Sequence, residues 1–485
     1  MAEAEAETSP DPQPGIRLGF LHLLSGSMAG RALSFGANLL LSRALGPVNL
    51  GLLNLILSAT QTVEMTVRSG VDFGLSYALT GAGASLPARR QGEIAHAALR
   101  VVQGSTLLVG LAVWLWVMPG QGLLPGSLPL PRGWLVTMLL LICSLESLGT
   151  VQWDLLLIRG RTGALALRQG LFAPLKIAAA WLGASLTGLA GALTGYALAV
   201  GCQALWLWQI GRALLPWPPQ RHFESSTALQ LVKAGIPQYL TNVLATLVFL
   251  PLLAGVAKGS GLADVGFLRV GQILVQLFTL LPGALVPVLF VRLRSGADFE
   301  ERMRGTERSL RALWWSALIC LVGFLLIDRW VLILFFGPSF LPALQATRVL
   351  VLGAITESVG QVLHQPLLAS RRMGLFLVAQ NGGALLAALA GVLLIPRIGT
   401  AGFLVARLLY GLIPMLLYFA AAWPALRERS VPLLHLLLTL AAIPVCWLPA
   451  GGNQQTGIEL AGLLAALLLL SAQGAWLLRG WRRSG

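Results

Sequence analysis

Glu146-Ser147-Leu148-Gly149 recurs as Glu357-Ser358-Val359-Gly360, 211 residues further along the chain. The register holds beyond the motif. Arg161 maps to Arg372, Gly163 to Gly374, and Gln169 to Gln380. Gly188-Leu189-Ala190-Gly191 maps to Gly399-Thr400-Ala401-Gly402. From Glu146 to Leu198, 18 of 53 ungapped positions are identical, which even a Leu/Ala/Gly-rich chain does not reach by chance. The chain contains an internal repeat.

The repeat lies in membrane-spanning sequence. The 485 residues are 56% hydrophobic and 11% charged, with mean hydropathy +0.77, where a soluble domain carries about 25% charge. Apolar runs of about 20 residues, long enough to cross a bilayer, recur from end to end. These features predict an all-α polytopic membrane protein. A β-barrel would show short alternating segments instead. The net charge of +15 does not point to nucleic acid, because the basic residues are spread through short loops without interleaved aromatics. The four cysteines, Cys143, Cys202, Cys320 and Cys446, sit in apolar runs without metal-ligand spacing, so no metal is expected. No removable signal peptide is expected either.

The pattern predicts fourteen spans, at 18–41, 48–67, 97–118, 133–154, 164–183, 187–210, 229–256, 262–291, 309–328, 342–369, 373–395, 399–422, 432–449 and 457–478. An even number puts both termini on one side. On that side fall 24 Lys and Arg residues, against five on the other, Arg43, Arg132, Lys258, Arg329 and Arg397. The bias makes both termini cytoplasmic. The basic loops Arg159/Arg161 and Arg371/Arg372 then share a side, so the halves are parallel, related by a pseudo-axis along the membrane normal. A second echo pairs Gly51-Leu52-Leu53 with Gly266-Phe267-Leu268. The expected organisation is a disordered tail (1–17), an N-lobe of spans one to six (18–228), a C-lobe of spans seven to twelve (229–430), and spans thirteen and fourteen with a basic C-terminus (431–485). Tandem repeats of this kind build transporters around a central cavity.

Gly26-x-x-Ala29-x-Arg31, then Leu41-Ser42-Arg43-Ala44-Leu45-Gly46-Pro47 with Gly51-Leu52, resembles the opening of bacterial polysaccharide (O-antigen type) flippases. Gly70-x-Asp72-x-Gly74-Leu75-Ser76, Phe336-Gly337, and Ile395-Pro396-Arg397-Ile398-Gly399-x-x-Gly402 extend the likeness over roughly 18–422. Gly266-Phe267-Leu268-Arg269 departs from it, since that family places Tyr after the Gly. The family belongs to a superfamily with lipid II flippases and multidrug and toxin extrusion pumps. The resemblance implies two six-helix lobes and alternating access. It implies transfer of undecaprenyl-diphosphate-linked oligosaccharide from the cytoplasmic to the outer leaflet of the bacterial plasma membrane, for polysaccharide biosynthesis. Polysaccharide polymerase and assembly proteins are the implied partners.

Charges inside spans are costly and face a cavity or a partner. The buried basic residues are Arg31, Lys176, Arg269, Arg348 and Arg407. Arg31 lies 14 residues past Arg17, about 20 Å along a helix and near mid-membrane. Basic forks suit a diphosphate. Lipid II flippases line their cavity with basic residues of spans one, two and eight, so the resemblance assigns Arg31 and Arg269 to the anionic head group. Lys176, Arg407 and, at the outer mouth, Arg43 are further candidates. The competing reading is that each pairs with a buried carboxylate and only fixes packing. Glu146 and Glu357 allow two roles. One is coupling or gating, by proton uptake or by salt-bridge exchange with Arg31 or Arg269. The other is polar glue between helices. Glu64, four residues before Arg68, reads as a local helix pair. His364 is a buried group able to titrate near neutral pH. Leu281-Pro282-Gly283 in span eight is the expected hinge. The basic segments before spans three and nine read as amphipathic interfacial helices or as topological anchors.

No cofactor is expected; a coupling ion, H+ or Na+, is the one small partner that the buried acids admit. Two readings from the same superfamily compete: a lipid II flippase, and a drug/cation antiporter, which would want an acidic cavity. A membrane glycosyltransferase or polymerase would need catalytic groups on long outer loops, and loop 119–132 has no carboxylate or His. No nucleotide-binding fingerprint is present, so the chain is not expected to be an enzyme.

Overall fold

A computed structural model describes residues 14–79, 88–117, 130–158, 161–214, 225–279, 299–369, 373–426 and 431–447. The described chain is nearly all helix. Nine of its helices are long and apolar enough to cross a membrane. Exposed Leu107, Leu186 and Leu334 cover its outside, as a lipid-facing surface requires. Span fourteen and the hinge expected at Pro282 and Gly283 lie outside the described residues.

Spans one and two form one segment, Pro14–Leu79, broken at Gly46 (φ 68°, ψ 175°). Gly46 takes the left-handed backbone that a side chain disfavours. Pro47 then starts the next helix, where its missing N–H is not needed. Span three is Ala88–Val117 and span four Arg132–Ile158. Span five comprises Thr162–Leu167, a π-helical turn at Arg168–Phe172, and Ala173–Thr187. Spans six, seven and eight are Leu189–Leu214, Ser225–Gly259 and Leu262–Phe278. Span nine is Phe299–Val331, followed by a π-helical turn at Leu332–Phe336. Spans ten to thirteen are Leu344–Ala369, Met373–Ile398, Thr400–Leu426 and Val431–Trp447.

Two expectations change here. The basic stretches before spans three and nine are not separate interfacial helices. Ala88–Val117 and Phe299–Val331 carry their described parts, from 88 and from 299, as continuous extensions of the spans, while 292–298 lie outside the described residues. Helical hydrogen bonding carries on past the apolar stretch, through Gly92 and Gly305, since adding a residue to an existing helix costs less than starting a new one.

Among the described residues, five glycines have positive φ: Gly46, Gly188, Gly261, Gly337 and Gly399. Each closes an odd-to-even connection between spans, so all five belong to the same face of the membrane. Gly188 and Gly399 are repeat mates, 211 residues apart. Gly46 and Gly261 are 215 apart, the offset of the Gly51/Gly266 echo. The two halves therefore reuse the same one-residue turns in the same places.

The halves meet at glycines. A Cβ on Gly51 would lie 1.8 Å from the carbonyl oxygen of Leu262, and one on Gly266 2.0 Å from that of Pro47. The contact is reciprocal: each half's glycine receives the other half's turn. Towards the opposite face, Gly74 of span two sits equally tightly on Leu231 of span seven, 2.2 Å from its carbonyl oxygen. Small residues permit such backbone contact between membrane helices. Within the first half, Gly26 and Gly30 bring span one onto the Ala166 and Gln169 backbone of span five. Outside the repeat, span thirteen docks on the second half, where Trp314 donates to Thr439 at 2.8 Å and stacks on buried His435.

Leucine at position 51 or 266 should therefore push the halves apart. Overpacking of this kind costs about 1–3 kcal/mol. The expected result is a lowered thermal unfolding midpoint for Gly51→Leu and for Gly266→Leu. Gly36→Leu, where a Cβ meets nothing within 4 Å, should leave the midpoint near that of the parent protein.

Candidate substrate cavity

A cavity of ≈ 670 Å³ opens in the first half, walled by spans one, two, four, five and six and closed by span eight of the second half. Arg31, Arg168, Lys176 and Arg269 line it, with Glu64 and Glu146. Four cations face two carboxylates. The polar lining also includes Asn54, Gln61 and Gln169.

Each charge has a definite position. Arg31, on span one, donates to the Thr279 carbonyl at 3.1 Å. Thr279 is the C-cap of the helix Leu262–Phe278, the end at which the helix dipole carries partial negative charge. Arg31 thus ties the first half to the second across the cavity. Arg269 projects from span eight. Arg168 lies on the π-helical turn of span five, its guanidinium 4.4 Å from the centre of the Trp153 ring. Among the described residues, none of these three has a carboxylate at ion-pair distance. Lys176, two turns beyond Arg168 along span five, pairs with Glu146, whose second oxygen accepts from Gln203 at 3.4 Å. Glu64 pairs with Arg68 at 3.7 Å, and Arg68 also reaches Asp154 at 3.6 Å. Asn54 is buried with its amide nitrogen unpaired.

The remaining candidates lie elsewhere. Arg407 is not in this wall. It pairs with Glu357 at 2.8 Å in the second half, its guanidinium 5.1 Å from the ring centres of both Phe249 and Tyr410. Arg348 pairs with Asp328, both fully buried. Arg43 donates to the Leu334 carbonyl of the second π-helical turn. His364 packs among aromatic rings, 5.2 Å from Phe376 and 5.6 Å from Tyr418, and shares a hydrogen bond with Gln365. The repeated glutamates are held by Lys176 and Arg407, not by Arg31 or Arg269. Of the five basic residues buried in spans, three therefore sit against carboxylates. Arg31 and Arg269 do not.

Sequence reasoning missed two features. Arg168 was counted with the cytoplasmic loop charges, and Glu64 was read only as the partner of Arg68; both line the cavity. The signal for Arg168 is Pro174. Proline offers no N–H to the Gly170 carbonyl, and the helix widens there into a π turn, with Ala173 N–H bonding to Arg168 O. Such turns often mark functional sites. Its repeat mate in span eleven, Leu385, is no proline, and Met373–Ile398 runs as one α-helix. The repeat is asymmetric in charge as well. Arg168, Lys176 and Tyr196 correspond to Ala379, Ala387 and Arg407.

No family model matches this sequence, and no curated protein is similar to it by sequence. Solved structures do match. Lipid II flippase MurJ in an inward closed conformation superposes with a TM-score of 0.73 at 12% identity, covering 94% of this chain and 99% of that one. An inward-facing multidrug resistance MATE family transporter of the MOP superfamily gives 0.60 at 13% identity, covering 85% and 99%. An outward-facing transporter of that family gives 0.53 at 12%, covering 86% and 100%.

Loss of one charged hydrogen-bonding group typically costs about 1.5–3 kcal/mol, roughly tenfold or more in affinity. Arg168→Gln should weaken binding of an anionic probe, inorganic pyrophosphate, measured by calorimetry, by about that factor. Arg407→Gln should change it less than about twofold while lowering the thermal midpoint. The chain thus has the fold of lipid II flippase and MATE-type membrane transporters, with a cation-lined cavity in its first half.

Proposed function

We propose that this protein is a flippase for a lipid-diphosphate-linked oligosaccharide. It carries the head group from the cytoplasmic to the outer leaflet of a bacterial plasma membrane by alternating access, for polysaccharide biosynthesis. One observation carries the reading: Arg31, Arg168 and Arg269 line a single cavity, and among the described residues no carboxylate stands at ion-pair distance from any of them. Buried cations of this kind need a counter-charge, and a bound diphosphate supplies it. The unpaired Asn54 amide adds a donor for phosphate or sugar oxygens. The cavity, ≈ 670 Å³, falls in the size range of small-ligand sites, about 300–1,000 Å³. That suits a diphosphate with its first sugars.

The loop charges support cytoplasmic termini, with membrane lipids and polysaccharide polymerase or assembly proteins as neighbours in the bilayer. The closeness of the fold to a lipid II flippase favours a second reading within the same chemistry, in which the head group is a peptidoglycan precursor. An antiporter for organic cations fits poorly, since the free charges of the wall are positive. A glycosyltransferase or polymerase reading has no catalytic cluster behind it in the sequence.

The test is transfer of labelled undecaprenyl-diphosphate oligosaccharide across vesicles containing the protein, with lipid II as competitor. Arg31→Ala and Arg269→Ala should each slow transfer about tenfold or more. Unchanged transfer in both variants would overturn the assignment. Strong competition by lipid II would select the second reading.

A further inference from the structure

Lys176 and Glu146 form the only ion pair, among the described residues, with both members in the cavity wall. Lys176 therefore has two possible partners: Glu146 when the cavity is empty, and an anion when it is filled. Its single ammonium on a flexible stem changes partner by rotating. Arg407, in the second half's version of the pair, lies against the edge-packed rings of Phe249 and Tyr410 and outside the cavity lining.

The surroundings of Glu146 decide what happens when Lys176 leaves. On its own helix stand Cys143 and Thr150, which bond to backbone carbonyls. Span two presents Glu64, a second carboxylate on the same cavity. Span five presents Lys176 and Arg168. Span six presents Gln203, bonded to Glu146, and Tyr196. Arg31 and Arg269 close the far wall. Arg168 is held on Trp153 and Arg31 on Thr279, and a diphosphate would engage both. Glu146 would keep one long hydrogen bond from Gln203, with a like charge nearby. Glu146 is then left without the cation that balances it, and one proton from solution restores the balance.

Resting on the anion-site reading above, we propose that the anionic head group takes Lys176 from Glu146, and that Glu146 binds a proton in exchange. The ammonium–carboxylate pair, the anion and one proton from water become an ammonium–anion pair and a neutral carboxylic acid. No covalent bond to carbon changes. Ligand and proton then occupy the cavity together, and the charge carried through the membrane is reduced by one.

The test is calorimetric titration of the purified full-length protein with undecaprenyl diphosphate. It is done in two buffers of different ionisation enthalpy, at mildly alkaline pH where the probe is fully ionised. The slope of apparent enthalpy against buffer enthalpy should report close to one proton taken up per probe bound. Glu146→Gln should bind more tightly, because Lys176 is free, with a slope near zero. Glu357→Gln should keep the wild-type slope. Binding to the wild type without proton uptake overturns the exchange and leaves the anion site standing. Uptake that survives in Glu146→Gln overturns the role of Glu146. Absence of binding in the wild type overturns the anion site and the exchange with it.

Discussion

A guanidinium inside a membrane-spanning fold needs either a carboxylate or a ligand, and that requirement organises this molecule. Three of the five basic residues buried in spans meet it internally, through Lys176–Glu146, Arg348–Asp328 and Arg407–Glu357. Arg31 and Arg269 do not, and Arg168 joins them from the π-helical turn. The three line one cavity, together with Glu64 and Glu146. The backbone makes the site possible. Gly26 and Gly30 seat span one on span five, and Gly51 and Gly266 dock the two halves turn to turn. Arg31 then bonds the end of span eight across the gap.

Duplication supplied the frame, and divergence supplied the site. Both halves keep the one-residue turns, at Gly188 and Gly399 and at Gly46 and Gly261. Both keep a glutamate in the fourth span of the half, paired with a cation. The cation comes from span five in one half and span twelve in the other. Where the first half has Arg168 and Lys176, the second has Ala379 and Ala387. A pseudo-symmetric scaffold thus carries a one-sided charge distribution.

Much of this was legible in the residues. Hydrophobic run lengths fixed the helices, the 211-residue register fixed the repeat, and Gly-Pro and Gly-x-Ala-Gly marked the turns. The cost of an intramembrane charge picked out five basic residues, and the resemblance to flippases chose Arg31 and Arg269 among them. The pairing of each charge was not legible. Lys176 and Glu146 are 30 residues apart, and Arg407 and Glu357 are 50 apart. Their meeting depends on how neighbouring helices rotate against each other, which periodicity does not specify. Arg168 was hidden because loop charges and span-end charges look alike in sequence, and only the π turn beside Pro174 separates them.

The most direct measurement is a cryo-electron microscopy map of the protein with undecaprenyl diphosphate bound. The account predicts density for the two phosphates in the first-half cavity, within hydrogen-bond reach of Arg31, Arg168 and Arg269. Phosphate density beside Glu357 and Arg407 in the second half, with the first-half cavity empty, would contradict it.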